Sequence, residues 1–535
     1  MVRSRSDVGK AMRLKSTLIC LLLLMMPGAG LVSAQDRGPT TTEEIRQSID
    51  QLLNQPNLAD ARWGVLIKSL DGRVIYGRDI RQTFMPASNM KLYTTAAALD
   101  QFGPGARIRT SLYAGKRPGR NGVLSGDLIL YGRGAPNLSP RFLEPTARKY
   151  NELIPAKKIP AIEEFADRVQ SLGIRVITGN VIGDDSYFAG DLLGPGWEWD
   201  DAQYYYGAEV SALTVNDNSI RLLVTPGRRA GEQPQISLLP ETGYVKIVNR
   251  ATTEAGGETR IGIERGLNSN TIEVSGKMVR GGAVRQIDVA IHNPALYAAT
   301  MLREALLRRG VRVLGGVKRM DAPARQVEPF DETKLYELAG IESEPLSEMI
   351  RVVNKESQNL HAELLLRQLG RVALPGDAET KTTDDYGRPL PVITRGNAVR
   401  RQFLERAGID VQSLSLRDGS GLARQNLVTP AATVRLLEFM ARHQHSQIFT
   451  ESLGIAGIDG TLERRMRETS VSGNLRAKTG TLSYVNALSG YMKTRGGVSL
   501  IVSLMGNNHV GPGRDVTSVM DRICVLLADY SGAVE

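Results

Sequence analysis

Within an otherwise polar stretch, Ile45, Ile49, Leu52 and Leu53 fall at the spacing of one helical face and predict an amphipathic helix over 41–57. The pattern then turns to strands. Segments 63–68 and 73–76 flank Leu70-Asp71-Gly72 and predict a hairpin with an Asp-Gly turn. A loop ending in Pro86 follows, then a run of small and apolar residues over 92–99 that reads as a helix. From about 104 the apolar segments shorten. Those at 108–114, 123–131, 176–182, 220–225, 245–248, 261–264 and 272–279 read as strands broken by Gly, Pro and Asn. Asn293-Pro294 opens a helix over 295–309 that stops at Gly310.

Helical spacing returns at 346–353 and at 360–369, with 354–358 interrupting it, and again at 397–407 and 430–443. The polar, proline-bearing stretch 375–391 reads as an exposed loop. A strand over 474–481, a hairpin of 487–494 and 498–505 around Arg495-Gly496-Gly497, and an amphipathic helix over 516–530 follow. This order predicts an α+β fold. One antiparallel sheet, built from the N-terminal hairpin and the C-terminal strands, lies between helices. The domain is split into 35–103 and 326–535, and the mostly β region 104–325, expected to hold two subdomains, is inserted between the halves.

Composition changes this picture at the N-terminus. Arg3, Arg5, Lys10, Arg13 and Lys15 precede an apolar run over 18–26, and Val32-Ser33-Ala34 has the small residues of a cleavage site. Residues 1–34 therefore read as a secretory signal peptide, with an uncleaved anchor as the alternative. The run falls short of the ~18–20 residues that span a bilayer. The apolar face of the final helix allows peripheral membrane contact at most; docking on the sheet accounts for it more simply. The net charge is +10, of which the first 34 residues, with five basic and one acidic side chain, account for +4. The remainder is spread without a Lys/Arg run and does not point to nucleic acid. Of two cysteines, Cys20 lies in the signal and Cys524 on the core face of the last helix, so no disulfide is expected. The histidines His292, His361, His443, His445 and His509 form no ligand pattern; no metal or cofactor is expected, His443 and His445 read as exposed helix-end residues and His361 as a packed one.

The chemistry starts at Pro86-Ala87-Ser88-Asn89-Met90-Lys91. Ser88 and Lys91 stand three apart and share a helix face. A serine hydroxyl is a weak nucleophile until a neighbouring base takes its proton, and Lys91 is either that base or a nearby cation. Ser-x-x-Lys alone is weak evidence. Two further motifs strengthen it: Ser357-Gln358-Asn359 in the interruption between two helices, and Lys478-Thr479-Gly480-Thr481 on a strand of small residues. Taken alone, Ser357 could equally be a helix-capping serine.

With these three motifs, Gly126-Asp127-Leu128-Ile129-Leu130-Tyr131-Gly132, Gly196-Trp197-Glu198-Trp199-Asp200-Asp201, Asp418-Gly419-Ser420-Gly421-Leu422 and Asp459-Gly460-Thr461-Leu462, the chain resembles the class C low-molecular-mass penicillin-binding proteins, the D-alanyl-D-alanine carboxypeptidase/endopeptidase family of serine peptidases. The resemblance runs from about 40 to 530 and includes the large insert between the first two motifs. The family often carries an acidic residue where Ala135 stands here.

The resemblance implies a penicillin-recognising, β-lactamase-like domain with Ser88 as nucleophile, Lys91 as base and Ser357 as proton relay to the leaving amine. Asn359 would hold Lys91 and the acyl part of the substrate. Lys478, Thr479 and Thr481 would bind the terminal carboxylate, Gly480 would let the substrate backbone approach, and the N–H groups of Ser88 and Thr481 would form the oxyanion hole. The expected protein is an exported, periplasmic DD-peptidase acting on peptidoglycan stem peptides, with β-lactams as covalent inhibitors. A β-lactamase or esterase on the same fold, and a non-catalytic peptidoglycan-binding envelope protein, are the alternatives. Burial and the like charge of Lys478 would both lower the Lys91 pKa. Asp184 is a weaker candidate to approach Lys478. The Trp197, Trp199 and Tyr204–Tyr206 group reads either as a recognition surface or as local packing.

Overall fold

The helix Thr42–Leu53 opens on a capping box: the Thr41 hydroxyl accepts from the Glu44 N–H, and the Glu44 carboxylate accepts from the Thr41 N–H. Its buried face is the expected one, Ile45, Ile49, Leu52 and Leu53, and it stops before Pro56 because proline cannot continue the ladder. Residues 39–142, 156–372 and 390–532 are described by a computed structural model. The signal-like segment 1–34 and most of the polar stretch 375–391 lie outside the described residues.

A six-stranded sheet follows the order Gly454–Ile455, Arg476–Leu482, Val485–Lys493, Ser499–Asn507, Arg62–Ser69, Val74–Arg78, antiparallel throughout. The hairpin near the N-terminus thus pairs with strands near the C-terminus, Val65 opposite Leu504. Period-two alternation sends these side chains to two cores. Val65, Ile67, Leu488, Leu500, Val502 and Leu504 pack with the helices Thr42–Leu53 and Gly513–Ala528, where Cys524 is buried as expected. Leu66, Ile501 and Met505 face the helices Met90–Phe102, Leu346–Lys355 and Pro430–Ala441. Met90–Phe102 is buried from Met90 through Leu99, and its Ala and Thr residues let it be surrounded closely on all sides.

The insert carries a five-stranded mixed sheet in the order Val317–Met320, Val181–Asp184, Leu128–Tyr131, Arg109–Ala114, Tyr336–Glu342. Among the described residues, three smaller sheets and the α-helices Pro160–Ser171, Pro294–Arg308 and Ala322–Val327 complete it. Its end differs from the expected 325. Tyr336–Glu342 pairs with Arg109–Ala114, and Leu338, Ala339 and Ile341 pack on the insert core, so the insert reaches about 342. The helix Pro160–Ser171, absent from the pattern reading, buries Ile162, Phe165, Ala166 and Val169. Most of the insert's elements share one large apolar cluster, and Tyr113, Ile129, Tyr131, Ile182 and Met320 form a smaller one on the other face of its five-stranded sheet. The expected strands 123–131 and 176–182 each break in two, because Gly126 adopts φ +97° and the chain turns again at 178–180.

Candidate active site

Ser88 lies on a single 3₁₀ turn, Ala87–Asn89, that leads directly into Met90–Phe102. Ala87 sits at φ +46°, a conformation costly for a residue with a Cβ. Two glycines leave room for this turn. A Cβ on Gly421 would stand 1.8 Å from the Ala87 carbonyl oxygen, and one on Gly480 would stand 2.6 Å from that of Pro86. The Ser88 turn is therefore gripped between the Asp418–Gly421 turn and the strand Arg476–Leu482.

Lys91 is fully buried. Its Nζ lies 2.8 Å from Ser88 Oγ, 2.6 Å from Asn359 Oδ1 and 2.7 Å from the Ser420 carbonyl oxygen. Burial lowers its pKa to about 7, against the opposing pull of the Asp418 and Glu363 carboxylates. A neutral amine fits these contacts: two N–H groups donate to Asn359 and Ser420, and the lone pair is left facing the Ser88 hydroxyl. Lys478 is buried too, and its pKa falls well below the ordinary lysine value through burial first and the Lys91 charge second. The like-charge repulsion expected from sequence thus acts on Lys478.

Ser357 sits between the helices Leu346–Lys355 and Asn359–Leu369 at φ +58°. It does not cap the second helix; the Gln358 side chain does, accepting from the His361 N–H. Ser357 Oγ accepts from Lys478 Nζ at 2.9 Å, whereas Lys91 reaches Asn359 instead. The Asn359 amide also donates to the Tyr206 carbonyl at 2.9 Å. The Thr479 and Thr461 hydroxyls are 2.6 Å apart, and Asn486 donates to Thr481 Oγ1 at 3.4 Å. Ser88, Ser357, Asn359, Thr479 and Thr481 line one cleft of about 690 Å³. Gly454–Ile455 pairs only with Arg476 and Ala477, so among the described residues no strand covers that edge over 478–482. An extended peptide can add there as a further strand.

Other groups of the site carried little or no signal in the sequence. Glu363 Oε1 accepts from the N–H groups of Gly419 and Ser420, both at 2.8 Å, and so orients the carbonyl that holds Lys91. Burial, with the Asp418 charge, raises the Glu363 pKa to about 7. Asp418 accepts from the N–H groups of Gly421 and Ala423, from Asn426 and, at 3.0 Å, from the Trp197 indole of the insert. Tyr205 and Tyr206 line the cleft, so the aromatic group is more than local packing, while Trp199 remains exposed. Asp184 is not near Lys478: it is buried in the insert and paired with Arg325 at 2.6 Å. His361 is buried as expected, on Asp217 at 3.0 Å; His443 is covered rather than exposed and contacts Asp100 at 3.1 Å. No metal-binding group and no helix long and apolar enough to cross a membrane occurs among the described residues.

Comparison with known proteins gives the family. The family model described as the D-Ala-D-Ala carboxypeptidase 3 (S13) family matches residues 45–530. The chain belongs to this family. It is 34% identical to a D-alanyl-D-alanine carboxypeptidase of Actinomadura sp. (strain R39), covering 96% of this chain and 90% of that protein. It is 26% identical to the D-alanyl-D-alanine carboxypeptidase DacB of Haemophilus influenzae, covering 80% and 82%. The crystal structure of penicillin binding protein 4 (dacB) from Haemophilus influenzae shares the fold, with a TM-score of 0.73 at 23% identity over 90% of this chain and 99% of that one. The S13 chain is thus a serine-type D-Ala-D-Ala carboxypeptidase by family, with a penicillin-recognising fold as expected.

Proposed function

We propose that this S13 peptidase cleaves the D-Ala-D-Ala bond of peptidoglycan stem peptides through an acyl-enzyme on Ser88, in the periplasm after export, and that β-lactams acylate the same oxygen. The observation that carries the reading is the buried Lys91 amine 2.8 Å from Ser88 Oγ, its remaining hydrogens taken up by Asn359 and Ser420. Lys91 takes the Ser88 proton as Oγ attacks the carbonyl carbon. The N–H groups of Ser88 and Thr481 receive the charge that develops on the carbonyl oxygen. The proton reaches the departing amine through the Ser357 hydroxyl, which Lys478 holds at 2.9 Å. The Thr479 and Thr481 hydroxyls take the terminal carboxylate, with the buried Lys478 supplying attraction behind them. Water then attacks the ester, with Lys91 again accepting the proton, and Ser88 is restored.

The cleft also favours cross-link cleavage. Glu198 and Asp201 line it together with Arg424 and Arg465, so its walls carry both signs of charge. A D-Ala–diaminopimelate cross-link presents a carboxylate beside the scissile amide, and the unlinked diaminopimelate of the donor stem an amino group, to such walls. Incubation of the purified protein with fluorescent penicillin and then with cross-linked muropeptides, alongside Ser88→Ala, tests the proposal. Stable labelling with release of D-Ala, both lost in the variant, is the expected result. Rapid loss of label without any muropeptide product would mean a β-lactamase, and label without turnover a binding protein.

A further inference from the structure

Asn216, Asp217 and Asn218 adopt φ of +51°, +52° and +51°, three successive left-handed residues with side chains. That conformation is disfavoured for L-residues, least so for Asn and Asp, and is visited as single residues rather than runs. Here the run is buried and held by its own amides. Asn216 Nδ2 donates to the Ser219 carbonyl at 2.7 Å, and Asn218 Nδ2 to that of Glu209 at 2.7 Å. The result is to point the Asp217 carboxylate out of the insert. It accepts from Arg141 Nε at 2.9 Å and from the Tyr205 hydroxyl at 3.3 Å, and its other oxygen contacts His361 Nε2 at 3.0 Å.

Arg141 bonds Glu356 and the Tyr205 hydroxyl as well. That hydroxyl in turn accepts from Gln358 Nε2 at 2.6 Å. Residues 356, 358 and 361, on both sides of Ser357, are therefore tied to the insert, while Ser357 itself is held at φ +58°. A serine in that conformation persists only where its surroundings over-determine it. Arg141, Asp217, Glu356 and His361 are all buried to within 1% of full coverage, so water cannot substitute for these bonds.

We propose that Arg141, Tyr205 and Asp217 are positioning residues: through Glu356 and Gln358 the insert fixes the turn that keeps Ser357 Oγ on Lys478 at the cleft. The role rests on the acyl-transfer reading above. It gives the insert a part in the chemical step, beyond any contact it makes with substrate.

The test is a double-mutant cycle on β-lactam acylation, with the maximal acylation rate and the non-covalent binding constant measured separately. Tyr205→Phe keeps the ring and removes the hydroxyl; Gln358→Met removes the other end of the same hydrogen bond. Each is expected to lower the maximal acylation rate about tenfold with the binding constant unchanged, and the two together no further than either alone. In a Ser357→Ala background, Tyr205→Phe is expected to change the rate less than about twofold. An unchanged rate in both single variants overturns the proposal. So does the same fold-loss with and without Ser357, or a loss that simply follows the melting temperature across the variants. Should Tyr205→Phe fail to fold, Gln358→Met carries the same cycle. Wild-type protein that is never acylated, or Ser88→Ala that still is, overturns the acyl-transfer reading and this proposal with it.

Discussion

Lys91 illustrates how a residue's surroundings decide its chemistry. A lysine in water holds its proton far above neutrality, and an ammonium cannot accept one from serine. Burial moves this lysine to about 7, and the Asp418 and Glu363 carboxylates keep it from falling further. Lys91→Arg preserves the charge but not the ability to deprotonate, so its acylation rate should drop at least ~100-fold in a fluorescent penicillin assay. The sign of the pH dependence follows from the same group. Below about 7 Lys91 is protonated and inert as a base; above it the amine is free, so acylation rises with pH through that value. Glu363→Gln keeps an acceptor for the Gly419 and Ser420 N–H groups but removes a charge that favours the ammonium. The midpoint of the acylation–pH curve should then move to lower pH. A midpoint that stays or rises would show that Glu363 does not act on Lys91 electrostatically.

Among the elements, the short ones between helices and strands hold the site. Ala87–Asn89, 356–358 and 418–421 are turns, and Ala87, Ser357 and Gly421 all have positive φ. What could be read from sequence follows from this. Ser88, Lys91, Ser357, Asn359 and Lys478 stand in short motifs whose spacing is preserved locally, and the central sheet strands are short apolar runs buried on both faces. Glu363 is one polar residue on a helix, and nothing in the pattern links it to a turn 56 positions away. The strand Tyr336–Glu342 is partly exposed along its length and shows no alternation, so it left no period-two signal. Gly421 stands out in the sequence only as part of a motif of the resemblance, yet its φ of +87° and the 1.8 Å at which a Cβ there would meet the Ala87 carbonyl oxygen make it a support of the Ser88 turn. Gly421→Ala should cost about 1–3 kcal/mol from backbone strain alone, more with the clash, and should reduce penicillin labelling along with the melting temperature.

Across the whole molecule the insert and the sheet domain meet at the candidate cleft rather than at a linker. Trp197 donates to Asp418, Tyr205 accepts from Gln358, and the Tyr206 carbonyl accepts from Asn359. Each of these bonds joins the insert to a turn or helix start that carries or supports a motif. If the insert unfolded first, the bonds from Arg141 to Glu356 and from Asp217 to His361 would be lost with it. The two parts should therefore unfold together. The tryptophans allow this to be measured, because Trp63 is buried in the sheet domain while Trp197 and Trp199 belong to the insert. Thermal melts followed by tryptophan fluorescence and by far-ultraviolet circular dichroism should share one midpoint. In Trp63→Phe the fluorescence then reports Trp197 and Trp199, on the insert and its contact with Asp418, and it should still melt together with the circular dichroism signal, at whatever temperature the substitution leaves. A fluorescence transition below the circular dichroism midpoint in that variant would mean that the insert opens on its own, and that its bonds to the catalytic turns are too weak to hold the site.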